Sequence, residues 1–220
     1  MQILFIGDIV GRPGREAIDI LVPKLKEELT LDFIVANAEN IAGGSGITRK
    51  LAQQMFKAGI DVLTSGDHIW RKREIITWID EEPKLLRPLN LKPNVPGRGW
   101  VTIEKEDKQL TVVNLIGRIF MEPNECPFVN IQRLLNEWQK EKKAIIVDFH
   151  AEATSEKVAM GWFLDGKVSA VLGTHTHIPT ADERIFPEGT AYITDVGMTG
   201  PVSYTHLRAH ETRHDLVCRL

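Results

Sequence analysis

Short apolar runs, each followed at once by polar residues, are the feature that most constrains the fold of this chain. There are five such runs: ILFI before Gly7, DFIVA before Asn37, DVLTS before Gly66, KAIIVDF before His150 and SAVLG before Thr174. Short continuous runs that are rich in Ile and Val are typical of strands buried on both faces. The pattern therefore predicts strands from the interior of an α/β sheet.

Amphipathic segments lie between these runs. They predict helices over residues 14–28, 48–58, 129–142 and 155–163. Residues 100–104 and 110–115 alternate around a charged turn and predict a hairpin, and residues 192–194 predict a further short strand. The three prolines and two glycines of residues 87–99 predict a long loop, which we place near the functional site rather than between domains. Because helices and strands alternate, we predict one layered α/β domain.

Composition and charge argue against nucleic-acid and membrane partners. The chain has 220 residues, and its 27 Lys and Arg against 30 Asp and Glu give a formal net charge of −3. This balance offers no general basic field for a nucleic-acid backbone, so we expect no stable nucleic-acid binding. No apolar run approaches the roughly 20 residues that span a bilayer, and no signal segment precedes the first run, so we expect a cytoplasmic protein with no membrane partner. Cys126 and Cys218 show no metal-binding or disulfide spacing, which fits a reducing compartment.

The end of the chain differs from the rest. Residues 202–220 (VSYTHLRAHETRHDLVCRL) show no helical or strand period and hold three of the seven histidines. The segment resembles a translated sequencing-library adapter; a genuine polar tail is the alternative. We therefore predict a native domain over residues 1–201 and a non-native end over residues 202–220.

Side chains that could bind metal ions follow every one of the five apolar runs. The set comprises Asp8, Glu39, Asn40, Asp67, His68, His150, His175 and His177. It includes all four histidines of residues 1–201. In open α/β sheets, ligands bind beyond the carboxyl ends of the strands, so these side chains can converge in one crevice.

Each of these residues also has an ordinary structural interpretation. Asp8 could cap a helix, Glu39 could lie in a solvated loop, and His150 could be a structural histidine. His175 and His177 are the strongest signal, because residues i and i+2 of an extended segment point the same way. Oxygen and imidazole ligands without thiolates favour Mn, Fe or Zn. There are more candidates than one ion requires, which favours a two-metal site suited to phosphoryl displacement.

The chain resembles the YmdB-like family of calcineurin-like metallophosphoesterases in six blocks that occur in order: GDIVGRPGR, ANAENIAGGSGIT, TSGDHIW, DFHAEATSEK, GTHTHIPTADERI and DVGMTGP. The resemblance runs from Met1 to Pro201. It implies a layered α/β metallophosphoesterase fold with sheets flanked by helices. It also implies a bacterial phosphodiesterase that converts 2′,3′-cyclic nucleotides to 3′-nucleotides. Family members continue beyond Pro201, so the resemblance implies that the C-terminal part of the domain is missing.

The resemblance also implies a role for each candidate. One metal ion would be held by Asp8, Glu39, Asn40 and His177, and the other by Asp67, His150, His175 and the shared Glu39. His68 would be the general acid that protonates the leaving ribose oxygen. We expect Fe or Mn at both positions, with Zn as the alternative.

Asp67 departs from the family, which usually has Asn at this position. An Asp can bind a hard cation at least as well as an amide oxygen, but it adds negative charge to the site. We therefore expect metal binding to survive and turnover to fall.

The sequence thus predicts a dimetal phosphodiesterase with a small phosphodiester or cyclic nucleotide as substrate. The Gly43–Gly46 loop and residues 87–99 are candidate walls for the nucleotide. A metal-binding regulatory or scaffold protein with little turnover is the alternative function. A homo-oligomer is compatible with either interpretation.

Overall fold

The computed structural model describes residues 1–138, 144–201 and 216–218. In chain order the strands are β1 (Ile3–Ile6), β2 (Asp8–Ile9), β3 (Phe33–Asn37), β4 (Val62–Thr64), β5 (Trp100–Lys105), β6 (Lys108–Ile116), β7 (Ala144–His150), β8 (Ala170–Thr174), β9 (Arg184–Ile185), β10 (Ala191–Ile193), β11 (Met198–Pro201) and β12 (Leu216–Cys218). The α-helices are α1 (Gly11–Leu29), α2 (Arg49–Lys57), α3 (Pro127–Glu137) and α4 (Thr154–Leu164), and two short 3₁₀ helices span Arg73–Thr77 and Ile79–Glu81.

The strands form three sheets. The first has the order β1-β3-β4 and is entirely parallel. The second has six strands in the order β5-β6-β7-β8-β10-β9, in which β5 and β9 are antiparallel edge strands. The third joins β2 and β11 in parallel, with β12 antiparallel on the outer edge of β11.

The first and second sheets pack face to face, and the helices cover their outer faces. Successive side chains of a strand point to opposite faces, so β6 places Leu110 and Val112 against Phe33 of the first sheet. The same strand places Val113 and Leu115 in a second core with α3 and α4. Helices α1 and α2 pack on the other face of the first sheet. This layering confirms the predicted α/β fold with sheets flanked by helices.

The predicted elements are found close to their expected positions. All five apolar runs contain strands, and the hairpin is formed by β5 and β6. Helix α1 begins three residues before the predicted start at residue 14, and residues 87–99 form the expected loop. The predicted helix over 129–142 begins earlier, at Pro127, and its last residues lie outside the described part of the chain.

The end of the chain contributes one strand, for which the sequence pattern gives no prediction. Residues 216–218 form a strand that pairs with β11, although the segment has no strand period. The exposed edge of β11 offers unpaired backbone groups, and any extended segment can pair with such an edge whatever its side-chain pattern. Residues 202–215 and 219–220 lie outside the described residues, so the domain boundary at residue 201 stays a prediction. Within the described ranges, no helix is both long and apolar enough to cross a membrane.

Candidate metal centre

The eight candidate side chains lie together where strands of all three sheets end or begin. Asp8 opens β2, and His150 closes β7. The others follow strands directly: Glu39 and Asn40 follow β3, Asp67 and His68 follow β4, and His175 and His177 follow β8. The structure therefore brings together the whole predicted set.

Four of these side chains converge on one point. Ligand atoms of Glu39, Asp67, His150 and His175 all lie within 4.8 Å of one another. His150 Nε2 is 3.3 Å from Glu39 Oε2 and 3.3 Å from Asp67 Oδ1. His175 Nδ1 is 3.0 Å from His150 Nε2, so two imidazole nitrogens and two carboxylates share one small space. Such a donor set, without thiolates, suits a divalent metal ion.

The remaining candidates form a second group beside the first. His177 Nε2 lies 3.6 Å from Asp8 Oδ1 and 3.2 Å from Asn40 Nδ2. Asn40 Nδ2 also donates to Glu39 Oε1 at 3.0 Å, so Glu39 touches both groups. An ion bound by Asn40 requires the amide oxygen on this side, which a half-turn of the amide group provides.

Asp8 gives the clearest sign that this second group fits a cation. Its Oδ1 is buried and has no hydrogen-bond partner among the described residues, whereas Oδ2 accepts from the backbone N–H of His175 at 3.2 Å. A buried carboxylate oxygen without a partner is costly, and a bound cation removes that cost. The residues present therefore fit metal ions in both groups.

The charges around His150 also favour a cation in the first group. Burial alone lowers the pKa of His150, but the negative charge of Glu39 and the hydrogen bond to Asp67 raise it well above its usual value. Conversely, burial raises the pKa of Glu39, and the charge of His150 brings it well below its usual value. The carboxylates thus favour a positive charge at His150 Nε2, which a proton or a metal ion can supply.

A buried hydrogen-bond chain orients the His150 ring. His150 Nδ1 lies 2.9 Å from Thr174 Oγ1, and that hydroxyl donates to Asp148 Oδ1 at 2.7 Å. Because the hydroxyl proton is directed to Asp148, the oxygen accepts from His150 Nδ1, and Nε2 faces the site. Asp148 also accepts from Thr64 and Asn37, and burial raises its pKa to about 6.

His68 is the most accessible of the candidate histidines near Glu39. Its side chain is 28% exposed, and its Nδ1 lies 2.8 Å from Asn40 Oδ1 and 3.4 Å from Glu39 Oε1. The hydrogen bond to Glu39 raises the pKa of His68, and the charge of Asp67 adds to this effect while burial opposes it. His68 can therefore hold a proton near neutral pH beside a reacting group.

The turn that carries His175 and His177 is not the extended segment predicted from the sequence. His175 has a φ of 98° and His177 a φ of 65°, so both residues lie in the left-handed region. The two imidazoles consequently reach different groups of the site instead of one shared face. Such strain persists only where the surrounding structure holds it in place.

A buried ion pair, which sequence reasoning missed, holds this turn. Asp195 Oδ2 accepts from the backbone N–H of Thr176 at 3.1 Å and from its hydroxyl at 2.8 Å. The same oxygen accepts from Lys157 Nζ at 2.7 Å, and both side chains of the pair are 1% exposed. Asp195 directly follows the predicted strand at 192–194, so the rule that found the other candidates also applies to it. Lys157 gives no such signal.

Comparison with known proteins gives consistent matches over nearly the whole described chain. The sequence model of a family described as YmdB-like protein matches residues 4–206. The 2′,3′-cyclic-nucleotide 2′-phosphodiesterase of Bacillus subtilis is 51% identical over 201 residues, which cover 91% of this chain and 76% of that protein.

Two solved structures have a similar fold. A hypothetical protein from Thermus thermophilus has a TM-score of 0.86 and 42% identity, covering 93% of this chain and 78% of that chain. A phosphatase from Mycoplasma pneumoniae has a TM-score of 0.84 and 37% identity, covering 90% of this chain and 72% of that chain. The arrangement of sheets and helices described above is therefore shared with these proteins.

Proposed function

The chain belongs to the YmdB-like family, and from that premise we propose that it is a metal-dependent phosphodiesterase. Its substrates are 2′,3′-cyclic nucleotides, the class named for the Bacillus subtilis relative, and its products are 3′-nucleotides. The observation that carries the proposal is the clustering of eight polar side chains in two adjacent groups, one of which contains a buried oxygen of Asp8 that has no hydrogen-bond partner among the described residues.

The proposed ligand sets follow the two groups of the site. Asp8, Glu39, Asn40 and His177 hold one ion, and Asp67, His150, His175 and the shared Glu39 hold the other. When bound, two ions supply the positive charge that stabilises the attacking and leaving oxygens of a phosphoryl displacement. We propose Fe or Mn, with Zn as the alternative.

His68 supplies the proton that the reaction needs. Water attacks phosphorus and releases one proton to solvent, the bond between phosphorus and the 2′-oxygen breaks, and the imidazolium of His68 donates its proton to that oxygen. Solvent then returns a proton to His68. The hydrogen bond to Glu39 favours this imidazolium, because it raises the pKa of His68. A neutral alcohol leaves more readily than an alkoxide, so the proton lowers the barrier.

The test is hydrolysis of 2′,3′-cyclic AMP by the full chain after metal removal and again after addition of Mn²⁺ or Fe²⁺. We expect 3′-AMP to form only with metal, and bis(p-nitrophenyl) phosphate to be hydrolysed as well. The Asp8→Asn variant should bind less metal and lose activity, whereas Asp19→Asn, on the exposed side of α1, should match the parent chain.

A folded protein that binds metal and hydrolyses neither compound would overturn the enzyme proposal. That outcome would favour the regulatory or scaffold function, for which the added charge of Asp67 is the relevant feature. The bacterial relatives support a bacterial source. The cytoplasmic location, a homo-oligomeric state and the non-native origin of residues 202–220 stay predictions.

A further inference from the structure

A cavity of about 310 Å³ lies directly beside the proposed metal centre. It shares Gly66 and Asp67 with the site. Trp70, Leu91 and Val95 contribute apolar wall, while other polar and apolar side chains complete the lining. This volume is at the lower end of the roughly 300–1,000 Å³ that is typical of small-molecule sites, so the cavity suits one ring system rather than a large ligand.

One wall of the cavity is formed by Trp70, which lies in the same short turn as the proposed general acid, His68. Trp70 lies in the turn that follows Asp67, where Ile69 N–H donates to the carbonyl of Gly66 at 3.3 Å and Arg71 N–H donates to that of His68 at 3.0 Å. The indole is half-buried and packs against the core between the first sheet and its helices. Its position relative to His68 is therefore fixed by a single short turn.

Another part of the cavity wall is held by a fully buried asparagine, Asn90. Asn90 Nδ2 donates to the carbonyls of Ile116 and Glu125, each at 2.8 Å, and Asn90 Oδ1 accepts from Ile116 N–H at 2.9 Å. These bonds join the loop of residues 87–99 to the end of β6 and to the segment after it. Leu91, next to Asn90, is thereby positioned without a ligand, so the cavity is preformed.

The chemistry of the proposed substrate places its base close to this cavity. In a 2′,3′-cyclic nucleotide, the carbon that carries the base is bonded to the carbon that carries the leaving 2′-oxygen. The base is thus only a few bonds from the atom that receives the proton of His68. Indole faces stack on nucleobases of any sequence, and Lys92 and Asn124 at the cavity add groups that can hydrogen bond to the polar edge of a base.

We propose that this cavity binds the nucleobase of the substrate, with Trp70 as the stacking surface. The inference rests on the proposed function and deepens it. Of the two loops considered as nucleotide walls, residues 87–99 contribute Leu91, Lys92 and Val95, whereas the described lining of the cavity includes none of Gly43–Gly46.

The test compares 2′,3′-cyclic AMP with methyl riboside 2′,3′-cyclic phosphate, which has the same reacting group and no base. For Trp70→Ala we expect the KM for 2′,3′-cyclic AMP to rise about tenfold, as expected from the loss of one stacking contact. We expect kcat to change little and the kinetics of the base-free compound to stay the same. Trp70→Phe should restore most of the affinity.

Two further variants keep the test independent of folding. Val95→Trp fills the cavity from the loop side and should raise the KM only for 2′,3′-cyclic AMP. Trp162→Ala removes an indole that is 54% exposed on α4 and should leave the kinetics with both substrates unchanged. The inference would be overturned if Trp70→Ala and Val95→Trp each raised the KM equally for both substrates. It would also be overturned if neither variant changed the KM for either substrate. Failure of the parent chain to hydrolyse both substrates would instead overturn the proposed function.

Discussion

Replacing Lys157 by Met is expected to destabilise both the fold and the metal centre. The substitution keeps most of the unbranched, apolar part of the side chain and removes the charge that faces Asp195 at 2.7 Å. Asp195 then remains as a buried carboxylate, held by the N–H and hydroxyl of Thr176 and by the N–H of Gly197 at 2.8 Å. The perturbation therefore acts on the turn between His175 and His177 without touching either histidine.

The expected loss of stability follows from the burial of the Lys157–Asp195 ion pair. Removing one partner of a buried ion pair costs about 3–5 kcal/mol, because the other charge loses its compensation. Asp195 keeps three hydrogen bonds, so we expect the lower end, about 3 kcal/mol. For a chain of this length that corresponds to a fall in Tm of about 6–12 °C.

The assay is urea unfolding of the metal-free protein, together with metal content and affinity for Mn²⁺. Lys50→Met is the matched control, because Lys50 is exposed on α2 and its loss should change the free energy of unfolding by no more than about 0.5 kcal/mol. The double variant Lys157→Met with Asp195→Asn should recover part of the loss, since it leaves no buried charge.

The reasoning would be refuted by a Lys157→Met protein that loses less than about 1 kcal/mol of stability, at the level of an ordinary surface change. It would also be refuted if the double variant were no more stable than the single one. Normal stability combined with weak metal binding would show that the pair acts only on the turn and not on the fold.

Three further predictions concern the site itself. Asp67→Asn removes a negative charge, so we expect faster turnover with unchanged metal content. Because the pKa of His68 should then fall, the alkaline limb of the rate profile should move to lower pH; an unchanged rate and profile would contradict this. His68→Gln should lower kcat by about 10²- to 10⁴-fold with metal retained, and loss of metal instead would show a ligand role. Gly66→Ala places a methyl group against the buried imidazole and carboxylate of the site, so elemental analysis should show metal loss. Gly44→Ala meets no neighbouring atom at its φ of +89° and should cost only about 1–2 kcal/mol of backbone strain, with metal retained.

The strands of the sheet interiors were predictable, because burial on both faces produces a continuous apolar run in the sequence. β1, β3, β4, β7 and β8 all follow from their apolar runs, and the residues after them gave the whole candidate site. The division of these strands between two facing sheets was not predictable, since an interior strand has the same pattern in either sheet. The two-residue strands β2 and β9 are too short to show any period.

Lys157 shows a different limit of sequence reasoning. From the sequence of α4, Lys157 is expected to be exposed to solvent, because a lysine is almost never fully buried unless it is paired. Its partner Asp195 lies 38 residues away along the chain, and nothing local connects the two. Only the packing of α4 beneath the turn after β8 reveals the pair.

Glu39 lies between the two main sheets, so the geometry of the metal centre depends on how these sheets are positioned relative to each other. Glu39 follows a strand of the first sheet, and its carboxylate lies 3.3 Å from His150 at the end of a strand of the second. A shift of one sheet over the other would change this separation directly. Repacking of the apolar layer between the sheets, at Val112 or Ile146, should therefore alter catalysis from a distance by misaligning the two halves of the ligand set.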